Sequence, residues 1–250
     1  MAFTVHAVMP GVWHIVDCMG VCMTLLEGEN AAMLVDTGYG IEDVADFMRH
    51  MTDLPLTVFL THNHHDHAMG ARCFPETYML EADMADWRMF TNDEMRRRVL
   101  TQAIGKNLTV DEKTFLAGEI PLPKVMKPGV IDLGGLTAEI IEAPGHTPGS
   151  AVVYVPERKL LLSGDDWNPC TWLFFPQALG LREYRSNMRG IQQLPFEKVL
   201  CPHREALYDR WMFDDFFNAL TDGNLRAAEP VNIAPYEQID TCQATLPHDQ

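Results

Sequence analysis

Ten consecutive residues carry the densest chemistry in the chain: Thr61-His62-Asn63-His64-His65-Asp66-His67-Ala68-Met69-Gly70. Four histidines and an aspartate within six positions make a donor set of imidazoles and a carboxylate, which suits zinc, manganese or iron. The apolar run Leu56-Thr57-Val58-Phe59-Leu60 precedes them, so the cluster is expected to be a loop at the C-terminal end of a strand. The H-x-H-x-D-H spacing turns His62 and His64, from alternate positions, toward one point. Asp66 and His67 can then serve a second point. His65 lies on the opposite phase from His64 and is not expected to bind. The pattern reads as half of a two-metal site.

Three later strand ends offer further donors. His146 stands in Glu142-Ala-Pro-Gly-His-Thr-Pro-Gly-Ser150, a tight turn that can aim a side chain into a cleft. On its own it reads equally as a loop histidine without a role. The strand-like Leu160-Leu-Leu-Ser-Gly164 leads into Asp165-Asp166. Asp165, directly after Gly164, is favoured over Asp166 as a bridge between two ions, against a turn or capping role. His203, in Cys201-Pro-His203, is either a ligand or a helix-start histidine. Asp36 ends an early strand and is expected to orient a histidine rather than bind metal.

The elements that must position these groups follow from apolar periodicity. Residues 3–36 read as short strands, with a turn at 27–30, and 41–51 as an amphipathic helix. Residues 56–60 and 77–82 are further strands. Residues 83–126 differ: rich in Met, Arg and acids, they are expected to form a helical, lid-like insertion with a helix near 92–104. Strands resume at 130–133, 136–141, 151–155, 159–162 and 198–201. Helices are expected at 181–194 and near 206–221, the latter ending close to Gly223. Residues 1–228 read as one domain. The proline-bearing tail 229–250 is expected to be irregular, and either wraps the body or contacts a second subunit in a homodimer.

Composition narrows the partners. There are 19 basic against 35 acidic residues, a formal charge of −16, and no basic stripe, so nucleic acid is not expected. No run approaches the ~18 apolar residues of a membrane span, and no basic-then-apolar leader opens the chain. The six cysteines are scattered without a C-x-x-C pair, as reduced thiols in a cytoplasmic protein are.

Asp36, T-H-N-H-H-D-H (61–67), G-H-T-P-G (145–149), G-D (164–165) and the strand-end His203 occur in the order found in the metallo-β-lactamase superfamily, which the chain resembles over about residues 10 to 210. The resemblance implies an α+β fold, a four-layer αβ/βα sandwich of two facing mixed sheets with helices outside. It implies His62, His64 and His146 around one metal, Asp66, His67 and His203 around the other, and Asp165 bridging. One departure is Pro202, where a glycine commonly precedes the last histidine.

Such a set holds two divalent ions, zinc first and manganese or iron as alternatives. Between them a water loses its proton near neutrality and attacks a small-molecule acyl centre: an ester, thioester, lactone or amide. Asp66 is the expected proton acceptor. Trp167, Trp172 and Phe174, in the aromatic stretch after Asp165, are expected to wall the pocket, with Trp87, Met89 and Phe90 of the insertion facing them. A glyoxalase II-like glutathione thioesterase is one alternative, although residues 206–250 hold only Arg210 and Arg226 as basic groups. An iron-dependent sulfur dioxygenase is another.

Overall fold

A computed structural model describes residues 3–173 and 175–227. Two sheets face each other. The first begins with four strands, β1 (Thr4–Met9), β2 (Val12–Val16), β3 (Cys22–Glu27) and β4 (Ala32–Val35), paired antiparallel in sequence order. Helix α1 (Val44–Met51) then crosses back, so β5 (Leu56–Phe59) lies parallel to β4. The Asp43 carboxylate caps α1 by accepting from the Asp46 N–H at 2.9 Å, and the apolar spacing of Val44, Ala45 and Met48 buries one face. Two short parallel strands, β6 (Tyr78–Met79) and β7 (Lys124–Val125), complete this seven-stranded sheet.

The second sheet has six strands. A meander of β8 (Gly129–Asp132), β9 (Thr137–Glu142), β10 (Ala151–Val155) and β11 (Leu160–Leu162) leads to helix α6 (Leu181–Ile191). This helix returns the chain so that β12 (Lys198–Leu200) runs parallel to β11, and β13 (Tyr208–Asp209) closes the edge. Strand β10 is buried along its whole length because both of its faces are covered. Val153 and Val155 join Leu26, Met33, Val35 and Phe59 between the sheets. Val152 and Tyr154 point the other way, under α6 and α7 (Arg210–Ala219). Helix α1 covers the outer face of the first sheet. The layers therefore run helix, sheet, sheet, helix.

The topology explains where the candidate ligands gather. Strands β4 and β5 are parallel and end together, which brings Asp36 beside Thr61. Strands β11 and β12 are parallel and also end together, before Asp165 and His203. The β9–β10 turn that carries His146 lies at that same end, since β10 runs antiparallel to β11. A backbone bond from the Ala151 N–H to the Thr61 carbonyl, 3.0 Å, ties the two sheets at this edge.

Several elements differ from expectation. The histidine stretch is not wholly a loop: α2 (His65–Ala68) and a 3-10 turn (Met69–Cys73) follow His64. The strand expected at 77–82 shortens to β6, and a 3-10 turn takes Glu81–Asp83. Within the insertion stand α3 (Trp87–Thr91), α4 (Asp93–Gly105) and α5 (Glu112–Phe115). They pack Trp87, Val99, Leu100 and Phe115 onto Leu60, Ala68, Met69 and Met79, beside the ligand edge. The C-terminal helix stops at Ala219, and Gly223 lies inside a further helix, α8 (Asp222–Ala227), rather than ending one. Residues 229–250 and Phe174 lie outside the described residues. Among the described residues no helix is long and apolar enough to cross a membrane.

Candidate metal centre

The chain leaves β5 extended, so His62 and His64 project to one side. His64 itself is extended, at φ −63° and ψ 147°, and its carbonyl accepts the N–H groups of His67 and Ala68 at 3.0 and 2.9 Å. Strict alternation would send the adjacent Asp66 and His67 to opposite faces. The helical turn instead lets both reach the cleft and swings His65 toward Tyr39, with ring centroids 5.5 Å apart.

Among the described residues, three sets of donor atoms lie within 4.8 Å of one another: His62, His64 and His146; Asp66, His67 and His203; and His62, His67 and Asp165. The first two are the triads implied by the resemblance, and the third places Asp165 between them. Asp165 Oδ2 is 3.5 Å from His146 Nε2 and 3.1 Å from His203 Nε2, while Oδ1 is 3.4 Å from His67 Nε2. Pro202 does not displace His203, whose Nε2 is 3.4 Å from His67 Nε2. His65 and Cys201 belong to none of the three sets. Burial pushes the Cys201 thiol up to about 12, with the Asp165 charge adding to the shift.

Outer partners fix the rings. His67 Nδ1 donates to Asp36 at 3.0 Å, which turns Nε2 into the cleft. The same carboxylate accepts the Thr61 N–H at 2.7 Å and the Thr61 hydroxyl, whose oxygen accepts from His62 Nδ1 at 3.1 Å. Asp36 holds this position in the left-handed region, at φ 65°, where a non-glycine residue is strained. His146 Nδ1 donates to the Trp172 carbonyl at 2.6 Å, which leaves Nε2 facing His64 Nδ1 at 2.8 Å. Asp166 points away, accepting the His146 N–H at 3.0 Å, and burial pushes its pKa well up. The turn between them needs Gly145, since a Cβ there would lie 2.4 Å from the Tyr184 ring.

The donor set fits metal. Among the described residues His62 Nε2 and Asp165 Oδ1 are buried without a hydrogen-bond partner, an arrangement that is costly unless a cation completes it. Burial holds His62, His64 and His146 below the usual imidazole value, reinforced at His62 and His64 by neighbouring histidines. Neutral imidazoles are the ligating form. In the second triad desolvation opposes charge, but Asp165, Asp66 and Asp36 hold His67 well above the usual value, and Asp165 and Asp66 raise His203. Against burial, His67, His65 and His203 keep Asp66 down at about 2, and His203 and His67 hold Asp165 well below the carboxylate range.

The expected pocket wall changes. Trp167 is buried in the second-sheet core against Tyr208 and Phe213, with centroids 5.5 and 5.6 Å away, so it does not line the cleft. Trp172 contributes through its carbonyl to His146, and its ring stands 6.2 Å from Phe175. Phe175, which sequence reasoning passed over for its neighbour Phe174, lies 4.8 Å from the His64 ring, and Phe90 lies 4.5 Å from it. Helix α3 and the segment after Asp165 therefore meet over His64, where Gln177 Nε2 approaches Met89 Sδ at 2.8 Å. Asp83, also unforeseen, is buried beneath the two histidine loops.

The family profile described as the metallo-beta-lactamase superfamily matches residues 16–203. The chain belongs to this superfamily. Its activity class follows: it is a metal-dependent hydrolase. It is 26% identical over 202 residues to the acyl-coenzyme A thioesterase MBLAC2 of Gallus gallus, covering 72% of this chain and 70% of that protein. It is 23% identical over 173 residues to a linear primary-alkylsulfatase of Pseudomonas sp. (strain ATCC 19151), covering 56% of this chain but 32% of that longer protein. The metallo-beta-lactamase FIM-1 of Pseudomonas aeruginosa, solved in a mono-zinc form, superposes with a TM-score of 0.63 at 17% identity, covering 92% of this chain and 98% of that one. That last similarity is one of fold.

Proposed function

We propose that this superfamily member is a dinuclear hydrolase of small acyl substrates, with acyl thioesters as the leading class. The observation that carries the reading is the placement of Asp165, whose Oδ2 lies 3.5 Å from a histidine of one triad and 3.1 Å from a histidine of the other. His62, His64 and His146 would hold one ion, Asp66, His67 and His203 the second, and Asp165 both. When bound, the ions activate water at neutral pH and polarise the carbonyl oxygen. The protein's own groups do the rest. Asp66, ionised and 16% exposed at its side chain, stands at the rim of the cluster, where its carboxylate can accept a proton from the attacking water. Phe90 and Phe175 flank His64 and offer an apolar seat to the acyl part of the substrate. That pairing favours a substrate with an apolar part, and the likeness to the thioesterase MBLAC2 favours an acyl thioester.

The test is elemental analysis of the purified full chain, followed by a panel of acyl-CoA esters, glutathione thioesters, lactones, aryl esters and alkyl sulfates. Two zinc or manganese ions per chain and thiol release from acyl thioesters are the expected result. Turnover confined to alkyl sulfates would overturn the substrate class. One iron per chain with oxygen uptake would replace the reading by the dioxygenase alternative.

A further inference from the structure

The loops that carry His62, His64 and His146 are separated by about eighty residues of chain, yet one side chain grips both. Asp83, 1% exposed, ends the 3-10 turn at the start of the insertion. Its carboxylate accepts the Asn63 N–H at 3.2 Å, the Thr147 hydroxyl at 2.7 Å and the Gly149 N–H at 2.6 Å. Its backbone carbonyl accepts from Asn63 Nδ2 at 3.0 Å. Asn63 lies between His62 and His64, and Thr147 directly follows His146. The approach is so close that a Cβ at position 149 would meet the Asp83 carboxyl carbon at 2.7 Å, so only glycine allows it.

We propose that Asp83 is a positioning residue for the three-histidine metal point. Resting on the two-metal reading, the proposal says that Asp83 sets the separation of the His62–His64 pair from His146. A carboxylate suits the task because it accepts from several donors at once. Without it, two buried N–H groups on opposite loops lose their shared acceptor and the loops can move apart. Asp36 supports the second triad directly, through its bond to His67, and reaches His62 through the Thr61 hydroxyl, so its role differs from the Asp83 link between the His62–His64 loop and the His146 loop. Asp83 also begins the segment that carries Phe90, so the aromatic wall over His64 and the spacing of the ligands share one anchor.

The experiment is a Zn2+ titration against a chromophoric chelator for wild type, D83N and T147V, repeated for D83N in H64A and H203A backgrounds. Cobalt absorption serves as a second readout. D83N should weaken one binding step by about 10–100-fold and leave the other within about threefold. T147V, which removes only one of the bonds, should weaken the same step less. In the H203A background the remaining step should stay sensitive to D83N, whereas in H64A it should not. If wild type binds two ions and each histidine variant removes one, but D83N shifts both steps equally or neither, the proposal is overturned. If D83N does not fold, an unchanged titration for T147V overturns it. Failure of the wild type to bind two ions overturns the underlying reading instead.

Discussion

The two candidate metal points are built on different electrostatics. The first is three buried histidines that burial keeps below the usual imidazole value, ready to ligate without losing a proton. The second mixes Asp66 with His67 and His203, whose imidazoles the surrounding carboxylates hold above that value. The points also differ in enclosure. His62, His64 and His146 are sealed by Phe90, Phe175 and the Trp172 carbonyl, while the His203 side chain is 31% exposed. A dinuclear edge can thus pair a rigid, neutral point under an apolar cover with a charged point open to solvent. On the proposed reading, water and proton traffic belong at the open side, and an apolar acyl group at the covered side.

The sharpest way to break this comparison is to remove what the points share. Asp165→Ala takes away the carboxylate that reaches both triads, so metal content should fall below two ions per chain. Thioester turnover should drop by about 10³-fold or more, the equivalent of several kcal/mol of transition-state stabilisation. Full metal content and full activity in that variant would refute the placement of Asp165 between the points. Asp36→Asn should be milder and uneven. It weakens the bond that orients His67, so affinity at the second point should fall by roughly 10–100-fold, while the three-histidine point should lose less, because Asp36 reaches His62 only through the Thr61 hydroxyl. Equal losses at both would mean that Asp36 supports the edge as a whole.

The smallest effect concerns pH and lies behind the second point. His14 is buried under the strand that leads to His203 and donates from Nε2 to the Arg204 carbonyl at 3.1 Å. Burial holds its pKa below 6.5. The unfolded chain therefore takes up this proton more readily than the folded one, and the contribution to stability falls as pH drops below 6.5. Metal-free His14→Gln should show a shallower loss of stability on acidification than metal-free wild type, measured by denaturant titration between pH 7 and pH 5. Parallel profiles would remove His14 from the support of that edge.

Much of the site was legible because each candidate ligand follows an apolar strand. His62, His64, Asp165 and His203 are placed at strand ends by the sequence pattern, and the amphipathic spacing of Val44 to Met51 marks α1. The illegible parts depend on packing between distant segments. Nothing local separates Trp167, which enters the core, from Phe175, which faces His64, because both sit in one aromatic stretch. Asp83 looked like any of 35 acids until the fold carried it under Thr147 and Gly149. The turn of helix at His65–Ala68 was hidden because alternation describes an extended chain, and the chain stops being extended at His64.

By itself the sequence determined the inventory: which donors exist, in what order, and that each stands where a strand must end. Periodicity and residue chemistry are local, and they suffice for that. The tertiary structure decided the distances. Parallel pairing of β4 with β5 and of β11 with β12 brings four strand ends to one edge, and antiparallel β10 adds the turn that carries His146, which no window of residues can encode. It also decided which histidines are neutral, because burial and the approach of distant carboxylates set those pKa values. Finally, it decided that a single buried aspartate would hold two of the loops in register.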